Sequence, residues 1–249
     1  MRRKIVAGNW KMNGSLKSNE ALLDALKKAS IPNNVDVIIF PPYPYLIQAQ
    51  MNLQSSAIKA GAQNLSISEG GAFTGEIAGN MIKDIGCNYV LVGHSERRTL
   101  YGETSAIVAQ KTAAAITQQL TPVLCIGETL AEREAEQTQN VLTEQLQAVI
   151  EHCGIEIFSK LIIAYEPVWA IGTGKTASPE QAQAVHAFIR CFIAKSDAKI
   201  AALVQVLYGG SVKASSAKAL FEMPDIDGGL VGGAALDATE FTAIISAAS

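Results

Sequence analysis

The chain has 249 residues, a formal net charge of −3 and a hydrophobic fraction of 49%. This size suits one large core, since α/β barrels commonly use about 250 residues as one domain. With no long basic run, nucleic acid and anionic membranes are not expected partners. The apolar run after Arg2, Arg3 and Lys4 is short and is interrupted by Asn9 and Lys11. This pattern excludes a signal peptide or a membrane span and predicts a cytoplasmic protein.

Cysteine spacing argues against two common kinds of site. The four cysteines contain no C-x-x-C pair, so neither a zinc knuckle nor a thioredoxin-like centre is expected. Cys125 and Cys191 lie in apolar runs and are predicted to be buried thiols. A reducing compartment fits this pattern.

Eight apolar segments are predicted strands. Several are rich in Val, Ile and Leu without alternation, which is typical of strands covered on both faces. In chain order they are Lys4–Trp10, Val35–Phe40, Ile58–Gln63, Tyr89–Val92, Pro122–Ile126, Leu161–Tyr165, Leu203–Tyr208 and Gly229–Val231.

Helical patterns separate these strands. Leu16–Ala29 spaces its leucines at helical intervals, and Thr104–Gln119 contains neither Gly nor Pro. At Ser178-Pro-Glu-Gln181, Ser stands at a predicted N-cap, Pro at the first helical position and Gln at the capping-box position. Thr239–Ala248 is predicted to close the chain as a helix.

Eight successive strand–helix units predict a closed (β/α)₈ barrel that forms one domain over residues 1–249. The rival is a doubly wound open sheet. That fold favours a glycine-rich G-x-G-x-x-G turn after the first strand. The segment from Gly8 to Gly14 lacks this pattern.

Polar residues follow nearly every predicted strand. Barrel active sites are built at the carboxyl ends of the strands, so these side chains are expected to meet. They are Asn9, Lys11, Gln63, Asn64, His94, Ser95, Glu96, Glu128, Glu166 and Ser211, followed by Gly232 and Gly233.

Glu166 is a candidate catalytic base. It follows an apolar strand directly, and Pro167 then ends that strand because proline cannot donate to a sheet ladder. The next loop carries Trp169 and Ile171 and ends in a glycine-rich stretch. Apolar residues on such a loop indicate a lid that excludes water. A solvated or ion-paired carboxylate is the simpler alternative.

His94 is a candidate partner of this base, although a lone histidine after a strand is more often structural. The His94-Ser-Glu96 sequence has the H-x-E spacing of zinc deaminases, but the required P-C-x-x-C is absent. His152 and His186 lie in helical patterns as surface or packing residues. No histidine pair has H-x-x-x-H spacing, so no metal site is expected.

Lys11 and Asn9 stand just beyond the first strand. There, the Lys11 ammonium can meet an anionic substrate, and the Asn9 amide can donate to a substrate oxygen. Most of the 20 basic residues are expected to be solvated surface charges instead.

Two glycine pairs are candidate phosphate sites, at Gly209-Gly210-Ser211 and at Gly232-Gly233. Glycines allow backbone N–H groups to approach a phosphate, and barrels often bind phosphate after strands seven and eight. Either motif alone is also compatible with a tight turn. A nucleotide-binding P-loop at Gly172–Thr176 is disfavoured because Trp169 occupies the position of its first glycine.

Together these motifs resemble the triosephosphate isomerase family along nearly the whole chain. The matching stretches are Gly8–Gly14, Gly93–Arg98, Cys125–Glu128, Ala164–Thr176, Tyr208–Val212 and Val231–Gly233. A departure lies at Ile77–Asn80, where the family more often has a Ser or Pro turn. It touches a helix start and leaves the catalytic positions unchanged.

The resemblance implies interconversion of dihydroxyacetone phosphate and D-glyceraldehyde 3-phosphate without a cofactor, as in glycolysis and gluconeogenesis. Glu166 would remove and return the proton, and His94, as a neutral imidazole, would polarise the carbonyl. Lys11 would offset developing negative charge. The substrate-binding positions implied are Asn9, Lys11, Gly172, Ser211, Gly232 and Gly233.

The resemblance also implies a homodimer. Asn64–Glu76 is long for a βα connection, where about 2–6 residues is usual. Phe73 lies near its glycine-rich tip, and a large apolar ring there needs a surface to bury it. The family inserts this loop into its partner, with Thr74 near the partner's Lys11 and Met12. The alternative is a loop folded against its own barrel.

Two other functions stay open from the residues alone. One is a different phosphate-binding barrel enzyme, acting on an indole or ribulose phosphate, which would not need the Glu–lid–His combination. The other is a non-catalytic interaction protein that retains the barrel. The joint presence of Asn9, Lys11, His94 and Glu166 argues against a degraded site.

Overall fold

A computed structural model describes residues 2–171 and 176–249 of the chain. Within these residues, eight parallel strands pair in sequential order and close into a barrel, which confirms the predicted fold. The strands are β1 (Lys4–Asn9), β2 (Val35–Phe40), β3 (Ile58–Ala62), β4 (Tyr89–Val92), β5 (Thr121–Ile126), β6 (Ile162–Tyr165), β7 (Gln205–Tyr208) and β8 (Gly228–Val231).

Helices surround the barrel. They are α1 (Leu16–Lys28), α2 (Leu46–Asn52), α3 (Gly79–Asp84), α4 (Ser95–Tyr101), α5 (Ser105–Thr117), α6 (Leu130–Glu134), α7 (Thr138–Cys153), α8 (Pro179–Ala194), α9 (Ala198–Leu203), α10 (Ala214–Phe221) and α11 (Ala238–Ser246). In the described part of the chain, no helix has the length and apolar character needed to cross a membrane.

The strands are apolar on both faces because each face packs against a different layer. Successive strand residues point to opposite sides of a sheet. In β1, Val6 packs in the layer between the strands and the helices, whereas Ala7 belongs to a separate cluster with Ile38 and Leu91. Burial on both faces explains the absence of polar alternation in the sequence.

The predicted strands match the observed ones except at some ends. Leu203 was expected to begin the seventh strand, but it is the last residue of α9, and β7 begins at Gln205. An apolar run alone does not mark where a helix ends and a strand begins. The Leu203 side chain is largely exposed, so it does not belong to the barrel core.

The first and last strands close the barrel. Ile5 pairs with Gly228, and the Ile5 N–H donates to the Asp227 carbonyl over 2.9 Å. Gly228 has φ +124°, and a Cβ there would lie 1.9 Å from the Ile5 carbonyl oxygen, so only glycine fits. The buried Asp227 carboxylate also binds Arg2 and Arg190.

The α8 helix shows one confirmed prediction and one that is wrong. Ser178 and Gln181 form the expected capping box, and Pro179 is the first helical residue. Cys191, expected to be buried, is exposed. It lies two residues from both Ile189 and Ile193, which are buried, and residues two apart point to different faces of a helix.

Candidate active site

A cavity of about 330 Å³ opens at the carboxyl ends of the strands. Its wall contains residues from the loops after β1, β4, β6, β7 and β8. It brings together seven of the residues predicted from sequence, namely Asn9, Lys11, His94, Glu166, Ser211, Gly232 and Gly233. Gly172, the eighth predicted contact, lies outside the described residues.

Glu166 is fixed through its backbone. Its N–H donates to the Ile126 carbonyl over 2.7 Å, which continues the β5–β6 ladder by one residue. Gly127 follows, and a Cβ there would lie 1.7 Å from the Glu166 carbonyl oxygen. Only glycine allows the two backbones to approach so closely. The close approach sets where the Glu166 side chain begins.

The Glu166 carboxylate is 2% exposed, and each of its two oxygens has one partner. One oxygen lies 2.9 Å from His94 Nε2, and the other accepts the Ser95 N–H over 2.9 Å. Burial raises the pKa of Glu166. The contacts with His94, the Ser95 amide and Lys11 together lower the pKa by more than burial raises it, so the net shift is downward. The carboxylate is therefore ionised at neutral pH and is ready to accept a proton.

His94 sits at the N-cap of α4, and its Nδ1 accepts the Glu96 N–H over 3.3 Å. When Nδ1 accepts, a neutral ring carries its proton on Nε2, the nitrogen that faces Glu166. The ring orientation is therefore set by the helix start.

Two opposing influences act on the charge of His94. Burial lowers its pKa, but the Glu166 carboxylate, with a smaller contribution from Glu96, outweighs burial and raises the pKa above the ordinary value. The helix amide at Nδ1 favours the neutral ring. The contacts of the unliganded pair thus oppose the neutral imidazole that the resemblance implies, and the neutral imidazole stays a prediction.

Lys11 adopts an unusual backbone conformation, with φ 51°. Two side chains hold it there. The Asn9 side-chain oxygen accepts the Lys11 N–H over 3.0 Å, and Gln63 donates to the Lys11 carbonyl over 2.8 Å. A left-handed conformation outside glycine costs on the order of 1 kcal/mol, and such strain is typical of functional sites. The Lys11 ammonium pairs with Glu96 at the cavity edge.

The same cavity wall contains Ser211, Gly232 and Gly233. Among the described residues, the N–H groups of Ser211 and Gly232 donate to no protein acceptor. A Cβ at Gly233 would meet no protein atom within 4 Å, so packing does not explain this glycine. The wall therefore offers free N–H donors and open space, which suit a phosphate.

The loop after β6 begins on a buried carboxylate. Glu128 accepts hydrogen bonds from the Tyr165 hydroxyl over 3.1 Å and from the Trp169 indole over 3.0 Å. Arg133 pairs with the same Glu128 oxygen and stacks on the Trp169 ring at 4.4 Å. These contacts fix the start of the predicted lid, and residues 172–175 of that loop lie outside the described structure.

The loop between Asn64 and Glu76 is anchored at its base, where Leu65 is buried and the Ser66 N–H donates to the Ile77 carbonyl. Residues 69–76 are exposed, including Thr74 and Phe73, which is 51% exposed. The tip is therefore not folded against its own barrel. Met12, the third predicted interface residue, is 94% exposed.

The departure from the family pattern at Ile77–Asn80 has a local structural effect. Ala78 occupies the N-cap of α3 and provides no side-chain hydrogen bond. Asn80 instead donates to the Glu69 carbonyl in the exposed loop. The change stays at the helix start and does not reach the cavity wall.

The sequence did not assign roles to Gln63, Glu96 and Glu128. Gln63 holds the Lys11 carbonyl, Glu96 pairs with Lys11, and Glu128 anchors Trp169. These roles depend on contacts between segments that are distant in sequence. Only their position at strand ends pointed to the site.

Comparison with known proteins shows the family to which the chain belongs. The sequence profile of the family described as triosephosphate isomerase matches residues 4–248. The chain is 57% identical over 249 residues to a triosephosphate isomerase of Thiobacillus denitrificans, covering 100% of both chains. It is 55% identical to that of Nitrosomonas europaea, covering 99% of this chain and 98% of the relative. It is 56% identical to that of Pseudomonas entomophila, covering 100% and 99%. The chain is therefore an isomerase and belongs to the triosephosphate isomerase family.

Proposed function

We propose that this protein interconverts dihydroxyacetone phosphate and D-glyceraldehyde 3-phosphate through an enediolate. The observation that carries the proposal is the direct contact between Glu166 and His94, on the wall of a cavity that also contains free N–H groups. Family membership supports the same reaction.

Glu166 removes a proton from the carbon next to the carbonyl and returns it to the neighbouring carbon. The depressed pKa of Glu166 keeps the base ionised before substrate arrives. At 2.9 Å, no atom fits between its carboxylate and His94. Substrate binding must therefore separate the two side chains, and this separation breaks the contact that raises the pKa of His94.

His94 polarises the carbonyl and moves protons between the two substrate oxygens. Its Nε2 already faces the cavity because Nδ1 is held at the start of α4. Lys11 provides a positive charge on the same cavity wall and offsets the charge that develops on the enediolate. The Asn9 amide nitrogen is available to a substrate oxygen, since its oxygen is used by the Lys11 N–H.

The phosphate is gripped by Ser211, Gly232 and Gly233, with Gly172 as a further donor from the lid. The free N–H groups after β7 and β8 support this placement. The Ala214 N–H at the start of α10 donates to Glu240 over 2.7 Å, which links the loop after β7 to α11 and helps fix its shape.

Val168–Thr176 closes over bound substrate and shields the enediolate from water. The anchoring of Trp169 on Glu128 supports a hinge at the start of this segment.

The active form is a homodimer in which the loop from Asn64 to Glu76 inserts into the partner. The exposure of Phe73 and Met12 supports this assembly, because both are large apolar side chains on one chain's surface. No cofactor is needed, and a cytoplasmic location suits the substrate.

An assay of the purified protein with D-glyceraldehyde 3-phosphate tests the function. We expect dihydroxyacetone phosphate to form without added metal or cofactor. A different phosphate-binding barrel enzyme would leave the triose phosphate unchanged but accept another sugar or indole phosphate, and a non-catalytic protein would convert neither. Either result would overturn the proposal.

A further inference from the structure

A second cavity, of about 190 Å³, lies behind the catalytic carboxylate. Among the described residues, it shares only Glu166 with the lining of the substrate cavity. We call this second cavity the rear chamber. Glu166 therefore forms part of the boundary between two separate spaces.

The two oxygens of Glu166 are divided between these spaces. One contacts His94, which lines the substrate cavity, and the other accepts the N–H of Ser95, which lines the rear chamber. The chamber opens outward, because Thr99 and Thr129 on its wall are exposed whereas Glu166 is buried. A path thus leads from the surface to the back of the base.

The wall of the rear chamber is polar enough to hold water. Arg98 and Gln145 line it, and Arg98 binds only backbone carbonyls among the described residues, at Gly93 and Cys125. Gln145 binds both the N–H and the carbonyl of Gly127, which keeps the inner wall in place. A water molecule takes about 30 Å³ in the liquid, so this polar space has room for several.

We propose that the rear chamber is a solvent route through which the proton held by Glu166 exchanges with water while substrate is still bound. This inference rests on the proposed function, in which Glu166 is the base. The carboxylate takes a proton from the substrate carbon, and the C–H electron pair enters the enediolate. A chamber water then exchanges one of its hydrogens with the carboxyl hydrogen. The exchanged hydrogen is delivered to the neighbouring carbon, and the carboxylate is restored.

Thr99 allows a clean test because it lines the chamber at the surface and its side chain makes no hydrogen bond to any described residue. Thr99→Leu narrows the opening, and Thr99→Ser keeps it open. Leu100→Phe is a matched control, since Leu100 is the exposed neighbour and does not line the chamber. None of these positions is part of the catalytic or binding machinery.

The reaction is run in deuterium oxide with triose phosphate. The retained-hydrogen fraction is the share of product molecules that carry the hydrogen taken from the substrate, and the remaining molecules carry deuterium from the solvent. We expect the retained-hydrogen fraction to rise about twofold or more in Thr99→Leu, since the chamber holds less water, with kcat/KM nearly unchanged. Thr99→Ser and Leu100→Phe should match wild type. Should Thr99→Leu disturb turnover, Thr99→Ile carries the same comparison, because its side chain has the same number of atoms as leucine and keeps the β-branch of threonine.

Two outcomes overturn the rear-chamber route. One is an equal retained-hydrogen fraction in the narrowed variants and in Thr99→Ser. The other is a wild-type product that carries only the substrate's hydrogen. A wild-type protein without isomerase activity would instead refute the proposed function, which the same assay reads separately.

Discussion

His94 Nε2 and Glu166 Oε1 lie 2.9 Å apart, and both side chains are buried. The proposed base and its proposed electrophilic partner are thus in direct contact before substrate is present. The protonation of each depends on the charge of the other, so the pair titrates as a coupled system. Substituting one of the two residues is therefore expected to alter the pKa of the other without any movement of the backbone.

Removing the basicity of Glu166 should abolish most turnover. Glu166→Asp keeps the charge but withdraws the carboxylate by one methylene, and misplacement on this scale can cost on the order of 10²-fold. Glu166→Gln cannot accept the proton and should cost more. Steady-state kcat measures both, with Glu151→Gln, an exposed glutamate on α7, as the control. Near-normal turnover by folded Glu166→Gln would refute this assignment.

The protonation midpoint of His94 should fall when Glu166 is neutralised. In wild type the carboxylate raises the pKa of His94 against the effect of burial. A nearby opposite charge favours the charged form of a titratable group, so Glu166→Gln should lower the protonation midpoint of His94. Nitrogen NMR of the ring gives both midpoints, and a His152→Gln background simplifies the spectrum. Equal midpoints would contradict the coupling.

Acid should destabilise the fold through His186, which is buried on α8 and edge-on to Tyr165. Burial lowers the pKa of His186 from 6.5 to about 3. Between these values the unfolded chain binds more protons than the folded one, so stability falls as pH falls. The slope contributed is about 1.4 kcal/mol per pH unit.

Urea unfolding at several pH values between 4 and 7 measures this effect. His186→Leu should remove that part of the pH dependence, whatever its effect on stability at pH 7. The matched control is His152→Gln, because His152 is exposed on α7. Identical pH slopes in wild type and His186→Leu would show that His186 is not responsible.

The barrel and most of the cavity wall could be predicted from the chain because their signals are local. Strands covered on both faces appear in the sequence as apolar runs such as Val35–Phe40. In a closed barrel, the residues that follow these strands meet at the carboxyl-terminal face. Asn9, His94 and Glu166 were found in this way. Their contacts depend on side-chain geometry across β1, β4 and β6, which no local pattern encodes.

The predictions that failed involved choices between faces or between elements. Cys191 lies in an apolar stretch, yet its burial depends on the rotation of α8 against the barrel. Leu203 is an apolar residue at the end of a helix that leads almost directly into β7. The predicted start of this strand was therefore too early. The raised pKa of His94 in the unliganded site is a further feature that no local pattern predicts, because it depends on the charge of Glu166, 72 residues away in sequence.

Deleting the lid tip should release a side product. In the proposed reaction, an enediolate that water reaches can eliminate phosphate, and the proposed lid would hinder this side reaction. We expect a variant shortened between Ile171 and Thr176 to isomerise slowly and to form methylglyoxal, measured by its reaction with a hydrazine. The Trp169–Glu128 anchor stays in this variant, so the start of the loop remains fixed. Normal isomerisation without methylglyoxal would show that the loop is not a lid.

Charges at the loop tip should dissociate the dimer and reduce activity together. Phe73→Asp combined with Thr74→Asp places unpaired carboxylates in the proposed interface. Light scattering after size-exclusion chromatography reads the mass at micromolar concentration. Leu203→Asp is the control, because Leu203 is a 72% exposed apolar side chain on α9, outside the loop. A wild-type protein that is monomeric and fully active would refute the proposed dimer.

The pairing of Ile5 with Gly228 has a consequence for protein synthesis. Gly228 is synthesised 223 residues after Ile5. The β1 strand therefore cannot pair with β8 until Gly228 has left the ribosome. Until then a nascent barrel has two open edges, on β1 and β7, and unpaired edges invite association with other chains. Premature termination before β8 should therefore yield an aggregating product.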